Sequence, residues 1–159
     1  MAKKSLRAVP VTGTILDCIE AGYNDLSELY NECQEIVDNA PEGLSETERI
    51  QTLGETADAL SSADSQPDVP EFLQDVEVIY TEDRRKSKSH SRASRRDEAC
   101  TYLRTAIVGI DEWVEKMREH NEPPSVIHSD QIQEAEELRD ELQELLNAAE
   151  GCEFPGMYG

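Results

Sequence analysis

The chain has 159 residues, with 35 acidic against 15 basic side chains and a net charge of −20. That length suffices for one domain with a buried core, and a surface of that sign repels phosphate backbones and attracts cationic partners, which excludes general nucleic-acid binding over most of it. No apolar run approaches the ~20 residues that a membrane-spanning helix needs. Residues 1–13 carry charge but no apolar stretch of the kind that forms a signal peptide, so the expectation is a cytoplasmic location, in a host cell or within a virion.

Residues 1–13 read as an N-terminal arm. From 14 to 39 the apolar side chains Ile15, Cys18, Ile19, Tyr23, Leu26, Leu29, Tyr30, Cys33, Ile36 and Val37 recur every three or four positions, which predicts a long amphipathic helix. Asn39, Pro41 and Gly43 stop it. Ser45 followed by Glu48 has the spacing of a capping box and opens a second helix carrying Ile50, Leu53, Ala57 and Leu60. Residues 14–62 thus form one helical hairpin.

Residues 63–96 read as a linker. Within it, 75–81 alternates Val76, Val78 and Tyr80 with Glu77 and Ile79, which predicts a short strand or extended arm. A lone strand needs a partner, and the expected partner is another protein's edge or a second copy. A third helix spans 97–120, with Ala99, Cys100, Leu103, Ala106, Ile107, Ile110, Trp113, Val114 and Met117 on its apolar face. Pro123 and Pro124 end it, Ser129 is placed to cap a fourth helix, and Ile132, Ala135, Leu138, Leu142, Leu145, Leu146 and Ala149 line that helix up to Gly151. Residues 97–151 are the second hairpin and 152–159 a tail. The fold class expected is all-α: a four-helix bundle of two helical hairpins, with a short extended or β segment in the central connection.

The four cysteines, Cys18, Cys33, Cys100 and Cys152, form no C-x-x-C pair, and three of them fall on predicted apolar faces. They are expected to be reduced and buried rather than metal-bound or bridged.

The charge is segregated. Residues 8–83 hold 19 acidic side chains and one basic, Arg49, whereas 84–96 hold seven basic and no acidic. That basic cluster is Arg84, Arg85, Lys86, Lys88, Arg92, Arg95 and Arg96, and no aromatic residue interleaves it to stack on bases. It reads as an intramolecular strap over the acidic faces or as an arm for an anionic partner. On the helices, Glu28, Glu32, Glu35 and Asp38 share one acidic face and Glu134, Glu137, Glu141 and Glu144 another. High acid with little Lys is also the composition of proteins adapted to salt, although the basic cluster runs against a uniform pressure of that kind.

The signatures of P-loops, dinucleotide folds, zincins and α/β-hydrolases are absent. His120 and His128 flank the Pro123–Pro124 turn and read as turn residues. Asp111-Glu112-x-x-Glu115 followed by Glu137-x-x-Asp140 resembles the acidic signature of the all-α, MazG-like nucleoside triphosphate pyrophosphohydrolases over about 30 residues. The match departs at Asp111, where that family has Glu. The resemblance implies that Glu112, Glu115, Glu137 and Asp140 hold Mg²⁺, which activates water.

Three functional expectations follow in order. The first is a non-enzymatic, acidic protein-binding factor without cofactor. It would mimic nucleic acid and inhibit or regulate a DNA- or RNA-binding enzyme, as anti-restriction and anti-CRISPR proteins of phages and mobile elements do, through a partner's cationic surface. The second is an assembly component such as a virion adaptor or connector, docking its apolar tail through Phe154, Met157 and Tyr158; a homo-oligomer is compatible with it. The third is the Mg²⁺-dependent pyrophosphohydrolase.

Overall fold

In the computed structural model, which describes residues 8–43, 47–83, 91–120 and 126–154, the predicted all-α bundle is present, with a two-stranded sheet added to it. The elements are β1 (Ala8–Thr14), α1 (Ile15–Asp38), α2 (Glu48–Leu60), a 3₁₀ turn (Ser61–Asp64), α3 (Glu71–Gln74), β2 (Glu77–Asp83), α4 (Arg92–His120) and α5 (Val126–Glu150). Hairpin α1–α2 docks on hairpin α4–α5 chiefly through α1 against α4, and α5 also touches α2.

Helix α1 starts sharply because Thr14 and Asp17 form a reciprocal capping box. The Thr14 hydroxyl accepts from the Asp17 amide at 3.1 Å, and the Asp17 carboxylate accepts from the Thr14 amide at 3.2 Å. These bonds satisfy amides that have no partner within the helix. Ile15, Cys18, Ile19, Tyr23, Leu26, Leu29 and Cys33 are buried along one stripe. That stripe meets Leu103, Ala106 and Ile110 of α4 and Leu53, Ala57 and Leu60 of α2 in one continuous, largely aliphatic core. Removing a leucine-sized side chain from such a core costs about 2–5 kcal/mol. All four cysteines are buried and free.

Two glycines set how close the layers come. A Cβ on Gly22 of α1 would stand 2.9 Å from Leu103 Cδ2, and one on Gly109 of α4 would stand 2.7 Å from Val78 Cγ1 and 3.2 Å from Ile15 Cγ1. The first lets α4 approach α1, and the second seats the sheet on α4.

The structure departs from the sequence reading in five places. Residues 8–14 are strand rather than arm, and the strand at 77–83 takes them as its partner, antiparallel from Ala8↔Asp83 to Thr14↔Glu77. The expected second copy or outside edge is therefore not what pairs it. Val9, Val11, Thr12 and Thr14 favour this conformation, while Pro10 and Gly13 interrupt the alternation that would have made it legible. Helix α4 begins at Arg92 instead of 97, with the Ser91 hydroxyl accepting from the Ser94 amide at 3.0 Å as its cap. Helix α2 is capped by Thr47, whose hydroxyl accepts from the Ile50 amide at 3.4 Å, and the predicted cap Ser45 lies outside the described residues. Helix α5 begins at Val126, a turn before Ser129. The linker contains α3, on which Leu73 is buried and Phe72 stacks on Trp113 with centroids 4.9 Å apart.

Candidate functional site

Helix α5 has two unlike faces. Leu138, Leu142, Leu145, Leu146 and Ala149 are buried, and Glu134, Glu137, Glu141 and Glu144 are exposed. Their spacing of three, four and three residues keeps the carboxylates on one ridge, about 4.5–6 Å apart along the axis. Three of them, with Leu138, form one wall of an open groove of about 440 Å³, and Pro67, Asp68, Val69 and Pro70 form the other. Burial pushes the Tyr23 phenol, beneath this edge, well above its ordinary pKa, and the Glu141 charge adds to that. The basic residues near the ridge are engaged beside it. Arg139 stands 3.4 Å from Asp111 and 3.5 Å from Asp140, and Arg118 donates to Glu136 at 3.0 Å. Among the described residues, no cation stands within 4.0 Å of Glu134, Glu137, Glu141 or Glu144.

On α1, Glu28, Glu35 and Asp38 are exposed, as their spacing predicts. Glu32 is different. Arg95 donates to both its carboxylate oxygens, at 2.6 and 2.8 Å, and Arg92 donates to one at 3.2 Å. The hydrogen bond from Arg95 is the main reason that the Glu32 carboxyl titrates below its ordinary range. Glu32 is thus committed to the protein's own arginines rather than presented to a partner.

Asp25, two turns earlier, escaped the sequence reading. It is half-buried between α1 and α4, and its pKa is raised to about 6, first by burial and then by the charges of Glu98 and Glu28, with Arg95 opposing. Nothing in the sequence singles out Asp25, since Asp17, Glu28 and Glu32 also stand directly beside residues of the apolar stripe.

Three arginines of the basic cluster are described, and all three act as an internal strap. Arg92 and Arg95 hold Glu32. Arg96 donates to the Ala149 and Cys152 carbonyls at 3.0 and 2.9 Å and pairs with Asp97 at 2.6 Å. The last turn of α5 has no basic residue of its own, so Arg96 supplies from α4 the positive charge that a helix C-terminus favours. Arg84, Arg85, Lys86 and Lys88 lie outside the described residues. The strand register nevertheless ends at Ala8↔Asp83, where the sequence on both sides turns basic: Arg7 precedes one strand and Arg84 follows the other.

The tail folds back on its own bundle as far as residue 154. Cys152 and Phe154 are buried, the Thr56 hydroxyl donates to the Glu153 carbonyl at 2.7 Å, and the Arg96 guanidinium lies 5.6 Å from the Phe154 ring centre. Phe154 is therefore part of the core edge and not a free docking side chain; Met157 and Tyr158 lie outside the described residues.

The metal constellation is not assembled. Glu112 lines a groove beside β2, Glu137 lines the groove against residues 67–70, and Asp140 faces Arg139. Glu115 is exposed. Among the described residues, no group of three or more His, Cys, Asp or Glu side chains is placed to hold a metal ion. No helix among them is long and apolar enough to cross a membrane.

No protein-family model matches the chain, and no curated protein or solved structure matches it either.

Proposed function

We propose that this chain works by binding protein, as an acidic nucleic-acid mimic that occupies the cationic groove of a DNA- or RNA-handling enzyme. The observation that carries this reading is the α5 ridge. Its four carboxylates are held on a rigid helix, face solvent and have no described cation within 4.0 Å, while the neighbouring arginines are engaged elsewhere. Along the axis their spacing of about 4.5–6 Å is of the same order as the ~3.4 Å between phosphates on one strand of a duplex. Glu28, Glu35 and Asp38 on α1 add charge of the same sign. Such a surface associates fast and loses affinity steeply as salt rises.

The test is capture from nuclease-treated lysate on the immobilised chain, eluted first with duplex DNA and then with salt. The reading requires that a nucleic-acid-binding enzyme leave with the duplex, and that the variant Glu134→Gln, Glu137→Gln, Glu141→Gln, Glu144→Gln fail to retain it. Partners indifferent to duplex, or equally retained by the neutral variant, would sink it.

A further inference from the structure

A second surface lies away from the acidic ridge. Ile79 on β2 and Val108 on α4 are the only exposed large hydrophobic side chains among the described residues, at 72% and 54% exposure. They share one open groove of about 700 Å³, with Thr12 on β1 and Arg104, Thr105 and Glu112 on α4 around them. The register explains the grouping. Thr12 is paired with Ile79 across the sheet, so both stand on one face, and Gly109 brings that sheet close against α4. The opposite face carries Val78 and Tyr80 toward the core. One face of the two-stranded sheet packs on α4, which is the support that so small a sheet needs, and the other is left to solvent.

The order of charges along α4 states what fits the other face. Arg104, Val108 and Glu112 follow one another at intervals of four residues, about 6 Å each. An apolar centre thus stands between a cation on one side and an anion on the other. A partner of a single sign matches one end of this stripe and repels the other. A second copy turned by a twofold axis through Val108 matches both ends, because each Arg104 then faces the partner's Glu112. Glu112 has no cation within ion-pair distance among the described residues, and Arg104 keeps its hydrogen bond to Glu150, at 2.5 Å with both side chains half-exposed. Arg104 is free to bridge two carboxylates, since a guanidinium offers five donors.

The geometry points to a symmetric homodimer of this chain, formed face to face through Ile79 and Val108 and held in register by reciprocal Arg104–Glu112 pairs. The net charge of −20 opposes association, so the dimer strengthens as salt screens the overall repulsion; over roughly 10 Å or more that repulsion is largely removed at ~0.1 M salt and above. This separates the dimer face from the acidic ridge, whose binding weakens with salt.

Sedimentation equilibrium of the full chain, from micromolar to several hundred micromolar and at low and ~0.3 M salt, reads this directly. The expected result is a reversible monomer–dimer equilibrium, tighter at the higher salt. Glu112→Arg, which sets arginine against arginine, raises the dissociation constant by about tenfold or more. The double exchange Arg104→Glu, Glu112→Arg, made together with Glu150→Gln so that the new carboxylate meets no like charge within its own chain, restores it. Circular dichroism of each variant checks that the exposed substitutions leave the helices intact. A monomer at every concentration overturns the proposal. So does a dimer that Glu112→Arg does not weaken, or one that the double exchange fails to restore.

Discussion

Arg95 of α4 holds Glu32 of α1 through two hydrogen bonds of 2.6 and 2.8 Å, joining the two hairpins at the edge of the core. The pair converts part of a basic run into an internal fastening. Glu32→Gln removes the charge and one acceptor while keeping the shape. We expect it to lower stability by about 1–2 kcal/mol, as for a partly buried charged hydrogen bond, measured by urea denaturation. The same pair gives a pH dependence. Because the Glu32 carboxyl is lowered from its ordinary 4.5, its contribution is complete above that value and is lost as pH falls through the folded-state pKa.

Asp25 pulls the other way. Burial and the nearby carboxylates raise it from 3.8 to about 6, so between these values the folded chain holds a proton that the unfolded chain has released. Its contribution to stability is therefore present below about 3.8 and lost as pH rises through about 6. Asp25→Asn removes the buried charge. The expected outcome is a higher melting temperature at pH 7.5 than the parent chain and a flatter stability profile between pH 4 and 7. An unchanged profile would remove Asp25 from the account.

Gly22 and Gly109 are packing positions rather than turns. An added methyl at either must push aside Leu103, or Val78 and Ile15. Gly22→Ala and Gly109→Ala should each cost about 1–3 kcal/mol, although alanine is the better helix former by roughly 1 kcal/mol at an exposed site. Gly54, whose added Cβ would meet only Val37 at 3.9 Å, is the control, and Gly54→Ala should be neutral or stabilising. Thermal melts of the three variants separate close approach from helix propensity.

The buried position of Phe154 makes the tail part of the folded unit. Phe154→Ala should destabilise the chain by about 3 kcal/mol. It should also expose the end of α5 to limited proteolysis, because Arg96 and Thr56 then hold only backbone carbonyls there. A variant as stable and as protease-resistant as the parent would mean that the tail contributes nothing to the core edge.

The four helices were legible because each carries an apolar stripe at helical spacing, and most of the buried residues from Ile15 to Ala149 belong to those stripes, with Ala63, Val69 and Leu73 of the connection added to them. The acidic ridge was legible for the complementary reason, since Glu134, Glu137, Glu141 and Glu144 occupy the positions that the stripe of α5 leaves over. What the sequence concealed depends on contacts between distant residues. Nothing local in residues 8–14 announces that they pair with 77–83. The basic cluster reads as a strap or an arm from the sequence, but its partners, Glu32 for Arg92 and Arg95 and the end of α5 for Arg96, emerge only when α1 and α5 are placed beside it. Asp25 looks like any surface carboxylate until Glu98 of α4 approaches it. The carboxylates of the MazG-like pattern share spacing but not a location, because Glu112 turns toward β2 and Glu137 toward residues 67–70.

The pairing of β1 with β2 also constrains the order in which the chain can be built. Thr14 meets Glu77 and Ala8 meets Asp83, so the strands are separated in sequence by the whole of hairpin α1–α2, and closing so long a loop delays their contact. A chain growing from its N-terminus makes β1, α1 and α2 first, and β1 has no strand to pair with until residues 77–83 have followed. The sheet is therefore a clasp that closes only after hairpin α1–α2 has brought its ends together, and a probe on Tyr80 would report that closure rather than the formation of α1.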